Sequence, residues 1–105
     1  MIFVVLVRMN PHSNGILPLS FCLATSDPEF ALRNARDIWQ ARGTQRINKV
    51  VIYGLEGEHP YGIPDMPSDN GVFGTDPRIV YAAIRPGSAS PHERFYGNFA
   101  SVAKA

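Results

Sequence analysis

The sequence predicts an α+β domain in which two helices pack against a four-stranded, mainly antiparallel sheet. Three observations support this fold class: a well-marked helix from Asp27 to Gly43, apolar strand-like runs on both sides of it, and a second helix signal at Ser90. The predicted order of elements is ββαββα. A chain of 105 residues has the size of one domain, so we assign 1–105 to a single unit.

Two strands are predicted before the first helix. Every position from Ile2 to Val7 is apolar, which is typical of a central strand covered on both faces. Asn14-Gly15 is a dipeptide that favours a hairpin turn. The run from Leu17 to Ala24 then alternates, with Leu17, Leu19, Phe21 and Leu23 on one face and Pro18, Ser20, Cys22 and Ala24 on the other. Pro18, which cannot donate a ladder hydrogen bond, indicates an edge strand.

The first helix has the clearest boundaries in the sequence. Asp27 can cap it by accepting a hydrogen bond from a free N–H group, Pro28 suits its first position, and Gly43 can end it. We expect Phe30 and Trp39 to be buried against the sheet, because apolar residues recur at spacings of three and four. The resulting stripe consists of Phe30, Ala31, Ala35, Ile38 and Trp39.

Two further strands and a second helix are predicted after the first helix. Lys49–Tyr53 and Ile79–Ile84 are rich in β-branched and aromatic residues, which favour strands. Ser90 and Glu93 have the spacing of a capping box and predict that a second helix starts here. The buried stripe of this helix consists of Phe95, Phe99 and Val102.

The 55–78 segment links the third strand to the fourth and is rich in glycine and proline, which excludes regular structure over most of its length. Loops longer than about 12 to 15 residues are uncommon in compact domains and are usually functional. Apolar side chains such as Tyr61 and Phe73 indicate that this loop is ordered and folds back against the body of the domain.

The sheet is predicted to have the strand order 2-1-3-4, which makes all neighbours antiparallel and places the two most apolar strands at the centre. The alternative places strand three beside strand two and would bury the strand that contains proline. If both helices cover one face of the sheet, Tyr53 and Tyr81 contribute to an apolar patch on the other face. Because such patches usually mark interfaces, we expect a homodimer through the open sheet face or edge.

Composition narrows the class of protein. No apolar run approaches the ~20 residues that span a bilayer, so we expect no membrane association. The single cysteine, Cys22, excludes an internal disulfide and indicates the reducing cytoplasm. Strand alternation places Cys22 on the face opposite Phe21 and Leu23, where we expect it to be a small buried hydrophobe rather than a nucleophile.

The leading functional hypothesis is a small cytoplasmic, homodimeric protein that binds another protein through the 55–78 segment. Irregular loops on a rigid scaffold commonly carry binding residues, and arginine side chains suit bidentate contacts with carboxylates. The candidate binding residues are Tyr61, Asp65, Asp69, Phe73, Arg33 and Arg36.

A second hypothesis is a small-molecule-binding domain or an enzyme with a pocket between the 55–78 segment and the sheet. Glu56, Glu58 and His59 follow the third strand and could support acid–base catalysis, because histidine titrates near neutral pH. No nucleophile motif accompanies these residues, so the sequence favours a protein without catalytic activity.

The acidic residues of the 55–78 segment do not complete a metal site. Asp65, Asp69 and Asp76 fall at positions one, five and twelve of a calcium loop, but Pro67 occupies position three and Gly71 falls one place late. The histidines share no zinc-ligand spacing, and the glycines match no phosphate-binding loop. We therefore expect no metal and no cofactor.

A third hypothesis is nucleic-acid binding through the arginine-rich helix face, with phosphates contacted by Arg33, Arg36 and the basic residues that follow them. The formal net charge is only +1, and Trp39 belongs to the predicted buried stripe instead of standing among the arginines. The sequence therefore does not favour nucleic acid as the partner.

Overall fold

The computed structural model describes residues 1–9, 20–41, 47–56, 78–84 and 92–104, apart from the side chains of 39–41, 84, 103 and 104. An antiparallel sheet with one α-helix packed on it confirms the α+β class. None of the helices in these ranges is long and apolar enough to cross a membrane. The elements are β1 (Ile2–Met9), β2 (Ser20–Thr25), α1 (Pro28–Ala41), β3 (Ile47–Leu55), β4 (Ile79–Ile84), β5 (His92–Phe95) and a 3₁₀ helix (Gly97–Lys104).

The sheet has five strands in the order β2-β1-β3-β4-β5, with every neighbouring pair antiparallel. The prediction of four strands in the order 2-1-3-4 was therefore incomplete, because it lacked the strand beyond β4. The predicted element order ββαββα was wrong at its end, since His92–Phe95 pairs with β4. In the described residues, the short 3₁₀ helix follows it.

The C-terminal elements differ from prediction because tertiary pairing overrides a local signal. A capping box describes only one turn, whereas β5 satisfies the backbone groups of β4 through partners such as Tyr81 with Phe95. Gly97 then adopts a positive φ of 58°, a conformation that glycine reaches without strain, and the chain turns into the 3₁₀ helix.

Helix α1 begins as predicted. The Oδ1 atom of Asp27 accepts a hydrogen bond of 3.0 Å from the backbone N–H of Glu29, which satisfies one free donor of the first turn. Ala31, Leu32 and Ala35 form the buried face of the helix. The prediction that Phe30 is buried was wrong: its side chain is 43% exposed, because Leu32 and the small alanines make the close contact with the sheet. The predicted burial of Trp39 concerns a side chain outside the described part.

Both faces of the sheet are buried, and they form two separate apolar clusters. The face toward α1 includes Val5, Ile52 and Tyr81, together with Phe99 from the 3₁₀ helix. The cluster on the second face contains Tyr53 with its neighbours. Tyr53 and Tyr81 were expected in an exposed patch, but they lie in different clusters and are at most 1% exposed. The remaining buried members of the second cluster are Val4, Leu6, Val51, Ile79 and Ala82.

Strand β2 forms one edge of the sheet, as its proline-containing approach predicted. Its register shifts where Leu23 pairs with Val5 but Phe21 pairs with Leu6, so Cys22 is the extra residue of a β-bulge. The bulge reverses the alternation and places Phe21 and Leu23 on opposite faces, contrary to the strict pattern. The predicted burial of Cys22 was also wrong, because this residue is exposed.

Candidate functional site

The two edges of the sheet have contrasting surfaces. Strand β2 has the sequence SFCLAT, with no charged residue and no proline, and its Phe21 side chain is 58% exposed. Strand β5 has the sequence HERF, in which the first three residues are polar or charged and exposed. Charged residues on an edge strand discourage pairing with another chain. Within Ser20–Thr25, strand β2 has no such charged residue.

A polar network joins α1 to β5 on the helix side of the sheet. The guanidinium of Arg36 donates two hydrogen bonds to the carboxylate of Glu93, from Nε to Oε2 at 3.0 Å and from Nη2 to Oε1 at 3.2 Å. The hydroxyl of Tyr81 donates to Oε2 of the same carboxylate at 2.6 Å. Tyr81 is fully buried, so Glu93 supplies the acceptor that its hydroxyl needs inside the protein.

The network shifts the protonation equilibria of its members. Burial alone would raise the pKa of Glu93, but hydrogen bonds from Arg36 and Tyr81 hold that pKa below its usual value. The hydrogen bond to Glu93 raises the pKa of Arg36. Burial, followed by the hydrogen bond to Glu93, raises the pKa of Tyr81, so the phenol stays protonated. The arrangement is a fixed charge pair that anchors β5, and we assign it no reacting group.

Removing the charge of this carboxylate is expected to destabilise the fold. In Glu93→Gln the amide N–H₂ replaces one oxygen that accepts from Arg36 or Tyr81 and the charge pairing with the half-exposed Arg36 is lost, at a cost of about 1 to 2 kcal/mol at neutral pH. The difference in unfolding free energy between the wild type and Glu93→Gln should shrink as the pH falls below the ordinary glutamate pKa of 4.5. A carboxylate with a lowered pKa stabilises the fold only while it is ionised. Urea denaturation over this pH range measures both effects.

The matched control for this substitution is Glu56→Gln, which changes an exposed carboxylate immediately after β3. Its free energy of unfolding should stay within about 0.5 kcal/mol of the original protein. Equal losses in the two variants would contradict a specific role for the Glu93 network.

Two cationic side chains lie side by side on the second face of the sheet. Arg8 and Lys49 are partners in the β1–β3 ladder and are 8% and 2% exposed. Burial and then the positive charge of Arg8 lower the pKa of Lys49 to about 8. Burial also lowers the pKa of Arg8, against an opposing effect of Tyr53. A lysine with such a pKa can act as a nucleophile, but this amine is closed off from solvent, so we assign it no catalytic role.

A cavity of about 340 Å³ lies at one end of the sheet, between the first residues of β1 and β4 and the 3₁₀ helix. The rings of Phe3 and Phe99 contribute to its wall, with their centroids 5.6 Å apart. Val80 and Val102 line it from β4 and from the 3₁₀ helix. The wall is mainly apolar and already formed in the folded chain.

The sequence-predicted site residues are not brought together by the described part of the structure. Glu56 is exposed at the end of β3, and Arg33 is exposed on α1 with its guanidinium carbon 5.8 Å from the centre of the Phe30 ring. Arg36 is held by Glu93. The other candidates lie outside the described residues: Glu58, His59, Tyr61, Asp65, Asp69 and Phe73.

Sequence analysis missed the buried cationic pair and the cavity wall. Lys49 was placed in a strand, but the alternation of side chains gave no sign that the second face of that strand would be buried. Glu93 was recognised only as a helix cap, whereas its partner Arg36 lies 57 residues earlier in the chain.

Comparison with known proteins identifies no relative: no protein-family model matches the chain, and neither a curated protein nor a solved structure is significantly similar to it.

Proposed function

We propose that this protein is a protein-binding module that assembles as a homodimer through the exposed edge of β2. The observation that carries the proposal is the contrast between this uncharged edge and the charged, exposed residues of β5. Among the described strands β2 is the outermost on its side of the sheet, and no charged side chain in Ser20–Thr25 opposes pairing with another strand. The sheet can therefore grow at β2, whereas it is blocked at β5.

A second copy of the chain fits this edge. Antiparallel pairing of β2 with itself is two-fold symmetric, so each copy presents the same surface to the other. Two uncharged strands meet without electrostatic repulsion, and Phe21, which is 58% exposed, becomes covered. Complete burial of a phenylalanine side chain contributes roughly 1.5 to 3 kcal/mol, so covering the exposed part of Phe21 contributes about half of this value in each of the two copies.

The 55–78 segment provides the contact with another protein in this proposal. It follows β3 and precedes β4 in the chain, so its ends join two strands other than β2. Acid–base catalysis by Glu56, Glu58 and His59 and nucleic-acid binding by Arg33 and Arg36 stay predictions, and no described contact favours either over the protein-binding function.

A charge placed on the β2 edge is expected to break the dimer. Phe21→Lys puts two positive charges close together across the two-fold axis and removes both aromatic contacts, so the dissociation constant should rise at least about tenfold. Phe30→Lys is the matched control, because it makes the same change at another exposed phenylalanine that lies on α1. Sedimentation equilibrium at micromolar concentrations measures dimerisation of all three proteins.

A second measurement locates the contact. Cys22 lies near the middle of β2 and is exposed, so a short bismaleimide should link the two copies of a β2-paired dimer. Cys22→Ser should prevent the link. A monomeric wild-type protein at about 100 µM, equal weakening by Phe21→Lys and Phe30→Lys, or a stable dimer that the reagent does not link would each contradict the proposed interface.

A further inference from the structure

We propose that the cavity at the end of the sheet binds an uncharged, bicyclic aromatic molecule. The size of the cavity is the first argument. An engineered apolar cavity of about 150 Å³ accommodates benzene, and small-molecule pockets in proteins begin at roughly 300 Å³. The volume here is about 340 Å³, which is large enough for two fused rings.

The chemistry of the wall selects an aromatic ligand without charge. No acidic or basic side chain lines the cavity among the described residues. The Phe3 and Phe99 rings are tilted by 47° to each other, so a flat ligand can meet one face and one edge. The thioether of Met1 adds a polarizable contact of the kind that favours aromatic rings.

Asn98 and Tyr96 are the described wall residues with polar side-chain groups, and Asn98 can orient the ligand. Asn98 lines the cavity and is exposed, and its amide can accept or donate one hydrogen bond. A bicyclic molecule with a single N–H or O–H group would bind with its rings between Phe3 and Val102. Its polar group would then point toward Asn98. Indole has this chemistry and is the probe for the test.

The wall is held in place by contacts within the fold, which lowers the entropic cost of binding. The backbone N–H of Tyr96 donates to the carbonyl of Val80 at 2.9 Å, and the N–H of Phe99 donates to the carbonyl of Tyr96 at 3.3 Å. Gly97 supplies the turn between them with its φ of 58°. These bonds attach the start of the 3₁₀ helix to β4, so the two sides of the cavity keep their spacing.

Titration of the full chain with indole, followed by methyl NMR, tests the proposal. We expect saturable shifts of the Val80 and Val102 methyl signals with a dissociation constant below about 1 mM, while the methyl signals of Val51 on the second face stay unchanged. Shifts that do not saturate, or that are as large for Val51 as for the cavity methyls, would overturn it.

Cavity-filling variants separate binding in this cavity from binding elsewhere. Val102→Trp should abolish indole binding, because the larger side chain occupies the space of the ligand, and Val102→Phe should weaken it at least about fivefold. Ala100→Trp is the control on the same 3₁₀ helix, since Ala100 is exposed and does not line the cavity. Circular dichroism verifies that each variant is folded. Unchanged indole affinity in a folded Val102→Phe protein would overturn the assignment.

Discussion

Replacing Phe99 by alanine is expected to lower the free energy of unfolding by about 3 to 5 kcal/mol. Phe99 is 4% exposed and contacts the rings of Phe3, Tyr81 and Phe95, with centroid distances between 5.6 and 6.5 Å. Truncation removes the buried ring and leaves a void that close-packed neighbours fill only in part. Domains of this size have a total stability of about 5 to 15 kcal/mol, so urea denaturation should reveal a large fractional loss.

Phe30→Ala is the matched control, because it makes the same truncation at a phenylalanine that is 43% exposed. Its cost should stay below about 1 kcal/mol, since Phe30 is already exposed on the helix surface and packs beside Arg33 instead of in the core. Phe99→Leu should fall between the two variants, because leucine keeps apolar volume without the aromatic contacts. A loss in Phe30→Ala as large as in Phe99→Ala would contradict the described packing of the 3₁₀ helix.

Local signals in the sequence were sufficient to predict strand β1 and the start of helix α1. The cap at Asp27 and the proline after it depend only on neighbouring residues, and the helix starts where they indicate. The continuous apolar run of β1 correctly implied a strand with both faces buried. These features are predictable because their physical causes lie within a few residues of one another.

Features that depend on distant parts of the chain could not be predicted in the same way. The choice between helix and strand at His92–Phe95 is decided by the backbone of β4, which offers a free edge. Which side of α1 faces the sheet is decided by how closely Ala31 and Ala35 approach it, and this leaves Phe30 outside. The bulge at Cys22 interrupts an alternation that looks regular in the sequence.

The candidate sites show the same limit. The pairing of Arg36 with Glu93 and the wall formed by Phe3 and Val80 join residues that are far apart in sequence. Lys49 illustrates a different difficulty, because polar residues in strands normally face solvent, and its burial depends on the covering of the second face. The spacing and composition of the sequence predict neither these long-range contacts nor the burial of Lys49.

The burial of Lys49 makes a quantitative prediction about pH. Its pKa is about 8 in the folded protein, against 10.5 for an ordinary lysine. Between these values the unfolded chain binds more protons than the folded one, so the free energy of unfolding should rise with pH. At 1.36 kcal/mol for each unit of difference, this contribution should increase by roughly 2.5 kcal/mol between about pH 7 and about pH 10.

Lys49→Met isolates this effect, because methionine has a similar length and does not titrate. Other groups also titrate in alkaline solution: the raised pKa of Tyr81 should destabilise the fold once unfolded tyrosine ionises near pH 10. Both proteins share that term, so it cancels when the unfolding free energy of the variant is subtracted from that of the wild type at each pH. The unfolding free energy of the wild type minus that of Lys49→Met should rise by roughly 2.5 kcal/mol from about pH 7 to about pH 10. If it stays constant, the amine of Lys49 keeps an ordinary pKa, and the described burial of the Arg8 and Lys49 pair is incorrect.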